Sequence, residues 1–280
     1  MERRLYFISD IHLELCDISS EINFELDEKY DNYLALCGDI GCPFERNYEK
    51  FIYDQSKKFK RVFVITGNHE YYNNIPYQTE GIFSDMVNIN YRTMHKIENK
   101  IKQICEKLPN VTFLTNEPFN LDDTLFVGCT LWTEVDENAE KYMNDYKKIF
   151  IDISHNEISV FKGNIDTPCF DQRKIKYMDI LQLYGEMKTY LEEQIKKKDG
   201  KQIIVLTHHA PSFQMTRQDT RSIYYASNCE SLFAPPLKYW ISGHTHECKT
   251  IEINNVTCLS NCVGYKTEKT GFDINKFVTF

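Results

Sequence analysis

A chain of 280 residues with 42% apolar and 26% charged side chains can bury a sizeable core, which excludes a disordered polypeptide. Its net charge of −8 disfavours a broad basic nucleic-acid footprint, and no apolar run approaches the length of a membrane span. Ten cysteines without a Cys-x-x-Cys pair read as reduced, buried thiols, and the few apolar residues between Arg4 and Ser9 are too short for a secretory signal, so a cytoplasmic protein is expected.

In chain order, Leu5-Tyr-Phe-Ile8 reads as a buried strand, followed by a polar, acidic connection from Leu13 to Asp31 and a second strand, Tyr33-Leu-Ala-Leu-Cys37. A helix is predicted over Phe44 to Phe59, returning the chain for a third strand, Val62-Phe-Val-Ile65, in βαβ fashion. Ile75 to Val87 reads as loop. Asn88 opens a long helix in which Met94, Ile97, Ile101, Ile104 and Leu108 recur at helical spacing before Pro109. Val111 to Leu114 and Thr124 to Val127 read as two strands joined by a turn at Asp122-Asp123, with a short extension through Thr130-Leu-Trp132.

From about 133 to 170 the periodicity fades, and this stretch is expected to be an insert over the sheet edge. Tyr177 to Lys198 is helical again, stopped by Asp199-Gly200. Ile203 to Leu206 and Tyr239 to Ile241 are further strands, and Thr250 to Ile253 pairs with Val256 to Leu259 about Asn254-Asn255. The length allows about two domains. The residues that carry chemistry, however, run from Asp10 to His246, so one domain over 1–280 is expected.

Five of these strands end alike. They run into Ser9-Asp-Ile-His12, Gly38-Asp39, Gly67-Asn-His-Glu70, Thr207-His-His-Ala-Pro211 and Ser242-Gly-His-Thr-His246. Each tip lies at the C-terminal strand edge, where ligands bind in an α/β sheet. Asp10 and His12 are two residues apart, as are His244 and His246, so in extended backbone each pair points to one side. Carboxylate, imidazole and amide donors without cysteine suit Mn²⁺, Fe²⁺, Zn²⁺ or Mg²⁺. Seven candidate ligands (Asp10, His12, Asp39, Asn68, His208, His244 and His246) exceed one tetrahedral site. Two ions about 3.5–4 Å apart, bridged by one carboxylate, would use them all.

In combination, the ordered set Asp-x-His, Gly-Asp, Gly-Asn-His-Glu, His-His and Gly-His-Thr-His resembles the calcineurin-like metallophosphoesterases, from Asp10 to Asn261-Cys-Val-Gly-Tyr265. Gly128-Cys-Thr-Leu-Trp132 with Met143-Asn-Asp-Tyr146 is similar to a bacterial-type branch of that family. The resemblance implies a layered α/β sandwich of two mixed sheets flanked by helices, with the metal site at the C-terminal strand ends. It implies that Asp10, His12 and His246 hold one metal, that Asn68, His208 and His244 hold the other, that Asp39 bridges, and that His69 is the unligated catalytic histidine. A hydroxide shared by the two cations would then attack phosphorus while His69 protonates the departing oxygen.

His209 is expected to position its neighbour or touch substrate, and Glu70 to be structural. Asn144 and Asp145, in the insert, are candidate substrate contacts. Phosphoprotein phosphatases of the superfamily read Gly-Asp-x-Val-Asp-Arg-Gly where this chain has Gly38-Asp-Ile-Gly-Cys-Pro43, which disfavours that activity and leaves His69 without a partner nameable from the sequence. The expected substrate is a small phosphomonoester or phosphodiester, including a nucleotide. A nuclease of the same fold and a catalytically silent scaffold are the alternatives. The sequence leaves the oligomeric state open.

Overall fold

The computed structural model describes residues 2–73, 91–153, 172–197 and 200–280. The strands in chain order are β1 (Arg3–Ile8), β2 (Asp31–Cys37), β3 (Arg61–Ile65), β4 (Val111–Phe113), β5 (Phe119–Leu121), β6 (Thr124–Cys129), β7 (Phe150–Asp152) and β8 (Gln172–Lys174). They continue with β9 (Gln202–Thr207), β10 (Leu237–Ser242), β11 (Thr250–Ile253), β12 (Val256–Ser260) and β13 (Phe277–Thr279). The helices are α1 (Arg46–Ser56), α2 (Met94–Glu106), α3 (Ala139–Tyr142), α4 (Asp145–Lys148) and α5 (Tyr177–Lys196).

One sheet has five strands in the order β13-β1-β2-β3-β4, parallel except for β13. The other has six, β11-β12-β10-β9-β6-β5, with a parallel interior and antiparallel edges. Side chains alternate along each strand, and the alternation sorts them into two cores. Leu5, Phe7, Tyr33, Ala35, Phe63 and Ile65 meet Phe126, Ile204, Leu206, Ile241 and Leu259 between the sheets. Their sequence neighbours Tyr6, Ile8, Leu34, Leu36, Val62 and Val64 belong to a second cluster with Phe51 of α1 and Ile97 and Ile101 of α2. Leu125, Val127, Ile203 and Val205 do the same with Ile180, Tyr184 and Leu191 of α5. The result is the helix, sheet, sheet, helix layering that the resemblance implied. Phe63 and Phe126 stack across the sheets with centroids 4.2 Å apart, so Phe63→Ala should cost about 3–5 kcal/mol.

Some boundaries and pairings differ from expectation. The first helix is Arg46–Ser56 rather than Phe44 to Phe59. The next begins at Met94, after Thr93 in extended conformation; the predicted start at Asn88 and the loop from Ile75 to Val87 lie outside the described residues. Val111 to Leu114 does not pair with Thr124 to Val127: β4 joins β3 in the first sheet, and the Asp122-Asp123 turn instead links β6 to the unforeseen β5. Nor does Thr130-Leu-Trp132 extend a strand. Thr130 Oγ1 pairs with Thr66 Oγ1 at 2.7 Å, and the backbone turns through φ 49° at Leu131. Within the described part of the expected insert lie α3, α4 and β7, the last paired antiparallel with β8.

Candidate metal centre

The ends of β1, β2, β3, β9 and β10 converge and bring every predicted donor to one place. Three overlapping groups have ligand atoms within 4.8 Å of one another: Asp10, His12 and His246; His12, Asp39 and His69; Asp39, His208 and His244. Asn68 joins through Oδ1, 3.1 Å from His208 Nε2. Loop backbones are laced together beneath them, Asp10 N donating to Gly38 O and His12 N to Asp39 O, each at 3.0 Å. Asp10, His12, Asp39, His244 and His246 all have left-handed backbone, with φ between 51° and 65°. For residues with a Cβ this costs on the order of 1–2 kcal/mol each. Gly67 is needed for a different reason, since a Cβ there would collide with the Asp39 carboxylate and the His208 ring.

The histidine rings are fixed from behind. His12 Nδ1 faces Glu14 Oε1 at 3.3 Å, His208 Nδ1 faces Cys37 O at 3.0 Å, and His246 Nδ1 faces Glu268 Oε2 at 2.5 Å. Each acceptor claims an Nδ1–H, which leaves a lone pair on each Nε2. Asn68 is oriented likewise: its Nδ2 donates to Tyr72 Oη at 3.0 Å, and Tyr72 donates to Asp145 Oδ2 at 3.2 Å, so Oδ1 must face His208. The consequence is a crowd of lone pairs. His12 Nε2 lies 3.3 Å from His246 Nε2, and His208 Nε2 lies 3.1 Å from both Asn68 Oδ1 and His244 Nδ1. Such a set repels itself unless protons or metal ions sit within it, and its imidazole, carboxylate and amide donors fit divalent metal ions.

Charge points the same way. Burial disfavours ionised Asp10 and Asp39, yet the facing histidines hold both carboxyls below the ordinary range. Burial likewise opposes a charged His208 and His246, but Asp39 and Asp10 respectively more than offset it, lifting His208 to about 10 and His246 to about 9. Protons and metal ions thus compete for the same atoms. His209 behaves oppositely, pushed down to about 3 by burial and by His208.

His69 is placed beside this cluster. Its backbone N–H donates to Asp39 Oδ1 at 2.8 Å, its ring packs on Tyr72 at 4.2 Å, and its Nδ1 is 3.0 Å from Glu14 Oε1. Glu14 therefore faces two histidines, whose hydrogen bonds outweigh burial and lower its carboxyl's pKa. The same two-residue spacing that pairs Asp10 with His12 could have singled it out, though it lies in a stretch that reads as polar connection. Glu70 is structural, as expected. It accepts from the backbone N–H groups of Asp39, Ile40 and Gly67 at 2.7–2.9 Å, tying two strand tips together.

Above the donors opens a cavity of about 330 Å³, within the ~300–1,000 Å³ typical of small-ligand pockets. Asn144 lines it, whereas Asp145 is buried behind Tyr72, acting through a neighbour rather than on the wall. His209 is buried too, with its ring 4.2 Å from that of His244 and its backbone N–H on Thr130 O. Tyr265, Arg217 and Arg221 also line the cavity and were not singled out in the sequence.

Fold and centre together define a calcineurin-like phosphoesterase. The model of that family matches residues 3–248, and the chain belongs to it as a phosphoester hydrolase. The family implies divalent metal ions, for which the Asp and His groups above are the donors. The chain is similar to uncharacterized protein L509 of Acanthamoeba polyphaga mimivirus, 30% identical over 296 residues that span 97% of this chain and 94% of that one. It is also similar to the structure of the phosphopantetheinyl hydrolase PptH of Mycobacterium tuberculosis, with a TM-score of 0.61 and 14% identity, covering 96% of this chain and 94% of that chain. At that identity the second likeness concerns the fold alone. Among the described residues no helix is long and apolar enough to cross a membrane.

Proposed function

We propose that this chain hydrolyses a phosphomonoester or phosphodiester of a small molecule or nucleotide at a centre of two divalent ions drawn from Mn, Fe, Zn and Mg. The observation that carries this reading is the position of Asp39, whose carboxylate belongs to two donor groups at once while its Oδ1 holds the backbone of His69. Asp10, His12 and His246 form one set of ligands; Asn68, His208 and His244 form the other; Asp39 is common to both. When bound, the ions supply an activated water and neutralise the phosphoryl oxygens.

The chain's own residues do the rest. Glu14 accepts from His69 Nδ1, which orients the ring and leaves Nε2 to pass a proton to the departing oxygen. Glu14, Cys37 O and Glu268 keep the ligand rings turned inward, and Tyr72 with Asp145 keeps the Asn68 amide from flipping. Asn144 is the contact we assign to the substrate. A cytoplasmic setting is supported by the free thiols of the described cysteines.

The test is purified protein reconstituted separately with each metal and offered p-nitrophenyl phosphate, bis(p-nitrophenyl) phosphate and nucleotides. Metal-dependent turnover of at least one ester is expected. No turnover with any metal, in protein that binds it, would overturn the reading.

A further inference from the structure

The cavity's mouth carries two guanidinium groups that the chemistry proposed for its floor does not use. Arg217 and Arg221 are the only Lys or Arg side chains lining it among the described residues. Their side chains are 74% and 68% exposed, whereas those of His208, Asp39, Asp10, His69 and His246 are 0–15% exposed. The arginines thus stand on the solvent side of a cavity whose base the buried donors form, where they can meet a part of a bound molecule other than the group seated on those donors.

The segment that presents them is built rather than loose. Thr216 and Ser222, both buried, share a hydroxyl hydrogen bond of 2.9 Å, Asp219 N donates to Ser222 Oγ at 3.0 Å, and Lys249 Nζ donates to Thr216 O at 2.6 Å. Met215 is fully buried at its start, and a bridge between Ala210 and Ala226 closes it onto the end of β9. Each arginine faces one carboxylate: Arg217 Nε donates to Glu247 Oε1 at 2.5 Å, and Arg221 Nη2 stands 3.9 Å from Asp219 Oδ2, beyond hydrogen-bond distance. Exposed pairs of this kind contribute little, so a phosphate can replace a carboxylate at small cost, and the guanidinium fork suits it well. The cavity wall has flat, amphipathic faces: Tyr142 is 58% exposed, Tyr265 is 40% exposed and packs at its inner edge on His12 and His246 with centroids 4.7 Å away, and Tyr225 is half-buried. Aromatic faces of this type stack on nucleobases.

We infer that the substrate is a nucleotide bearing a second phosphate. The scissile phosphoryl occupies the floor, the base lies against the tyrosines, and the second phosphate sits on Arg217 and Arg221. This rests on the phosphohydrolase reading of the floor. Water's OH adds to the scissile phosphorus, its P–O bond to the ribose breaks, the ribose oxygen takes up the proton, and the second phosphate remains in place.

The probes are adenosine 3′,5′-bisphosphate, adenosine 3′-monophosphate, adenosine 5′-monophosphate, p-nitrophenyl phosphate and bis(p-nitrophenyl) phosphate, with kcat/KM measured for wild type, Arg217→Gln and Arg221→Gln at verified metal content. Wild type should favour the bisphosphate over either monophosphate, and each substitution should lower that ratio by about tenfold, the order expected for a lost charge-assisted contact. An unchanged ratio in both variants, or a wild type that prefers a monophosphate, overturns the inference. Should p-nitrophenyl phosphate, bis(p-nitrophenyl) phosphate and all the nucleotides go unhydrolysed, the phosphohydrolase reading fails separately. Calorimetric binding of adenosine 3′,5′-bisphosphate still decides the inference, because equal affinity in wild type and the Arg217→Gln/Arg221→Gln double variant would end it.

Discussion

At the floor of the cavity, Asp10, Asp39 and His208 are almost wholly buried, and each is hydrogen-bonded to the main chain of another strand tip. At the mouth, Arg217 and Arg221 expose most of their side chains and each faces one carboxylate. The floor is over-determined: removing one group there leaves others buried without partners, which is expensive in a low-dielectric site. The mouth is adjustable, because each contact there can be exchanged for water or ligand. Chemistry common to a family belongs on the first kind of surface, and discrimination between substrates on the second.

That contrast breaks most easily at Asp39. Asp39→Asn should lower the content of both metals by elemental analysis and reduce kcat/KM by more than the roughly 10²–10⁴-fold typical of losing a general acid. Full metal content in that variant would remove the bridging role. His69→Asn comes next, with both metals retained and a loss of roughly 10²–10⁴-fold on alkyl esters but much less on p-nitrophenyl esters, whose leaving groups depart unaided. Equal losses across esters of graded leaving-group pKa would mean that His69 orients the attack instead.

Glu14→Gln should cost about 10–100-fold, the usual range for a group that orients a ligand or catalytic ring. Its loss should follow the leaving-group pattern of His69→Asn; if bound metal falls instead, Glu14 serves His12. Tyr72→Phe removes the link between Asn68 and Asp145 and strands a buried carboxylate, so stability by chemical denaturation should fall by about 1–3 kcal/mol. An unchanged midpoint would show that the link is idle. Smallest is Asn144→Ala at the mouth, expected to change KM a few-fold at constant kcat; identical parameters on every accepted ester would remove it from the substrate contacts.

The floor was legible because each parallel strand is a short apolar run that halts at polar donors, and the side chain at such a halt has nowhere to point but the sheet edge. Glu14 was harder to see, since its partners His12 and His69 come from different strand tips. Glu268 gave no signal, being 22 residues from the histidine it holds. Strand assignment failed for a related reason at Val111 to Leu114. Apolar alternation reports burial but not which of two stacked sheets does the burying, and only the parallel pairing with β3 decides it. The arginines of the mouth were silent because an exposed Arg on a loop is an ordinary surface residue.

The left-handed backbone at Asp10, His12, Asp39, His244 and His246 bears on how such a centre survives mutation. At each of these positions glycine would relax the main chain, so selection for foldability and selection for ligation pull in opposite directions. The centre is a patch of local frustration inside an otherwise consistent fold, and the two cores around it must be stable enough to tolerate it. Lineages that abandon catalysis would be free to drift toward glycine at these five places first, gaining stability as they lose the metals. The pattern of glycines at the strand tips would then serve as a record of which descendants of this fold still do chemistry.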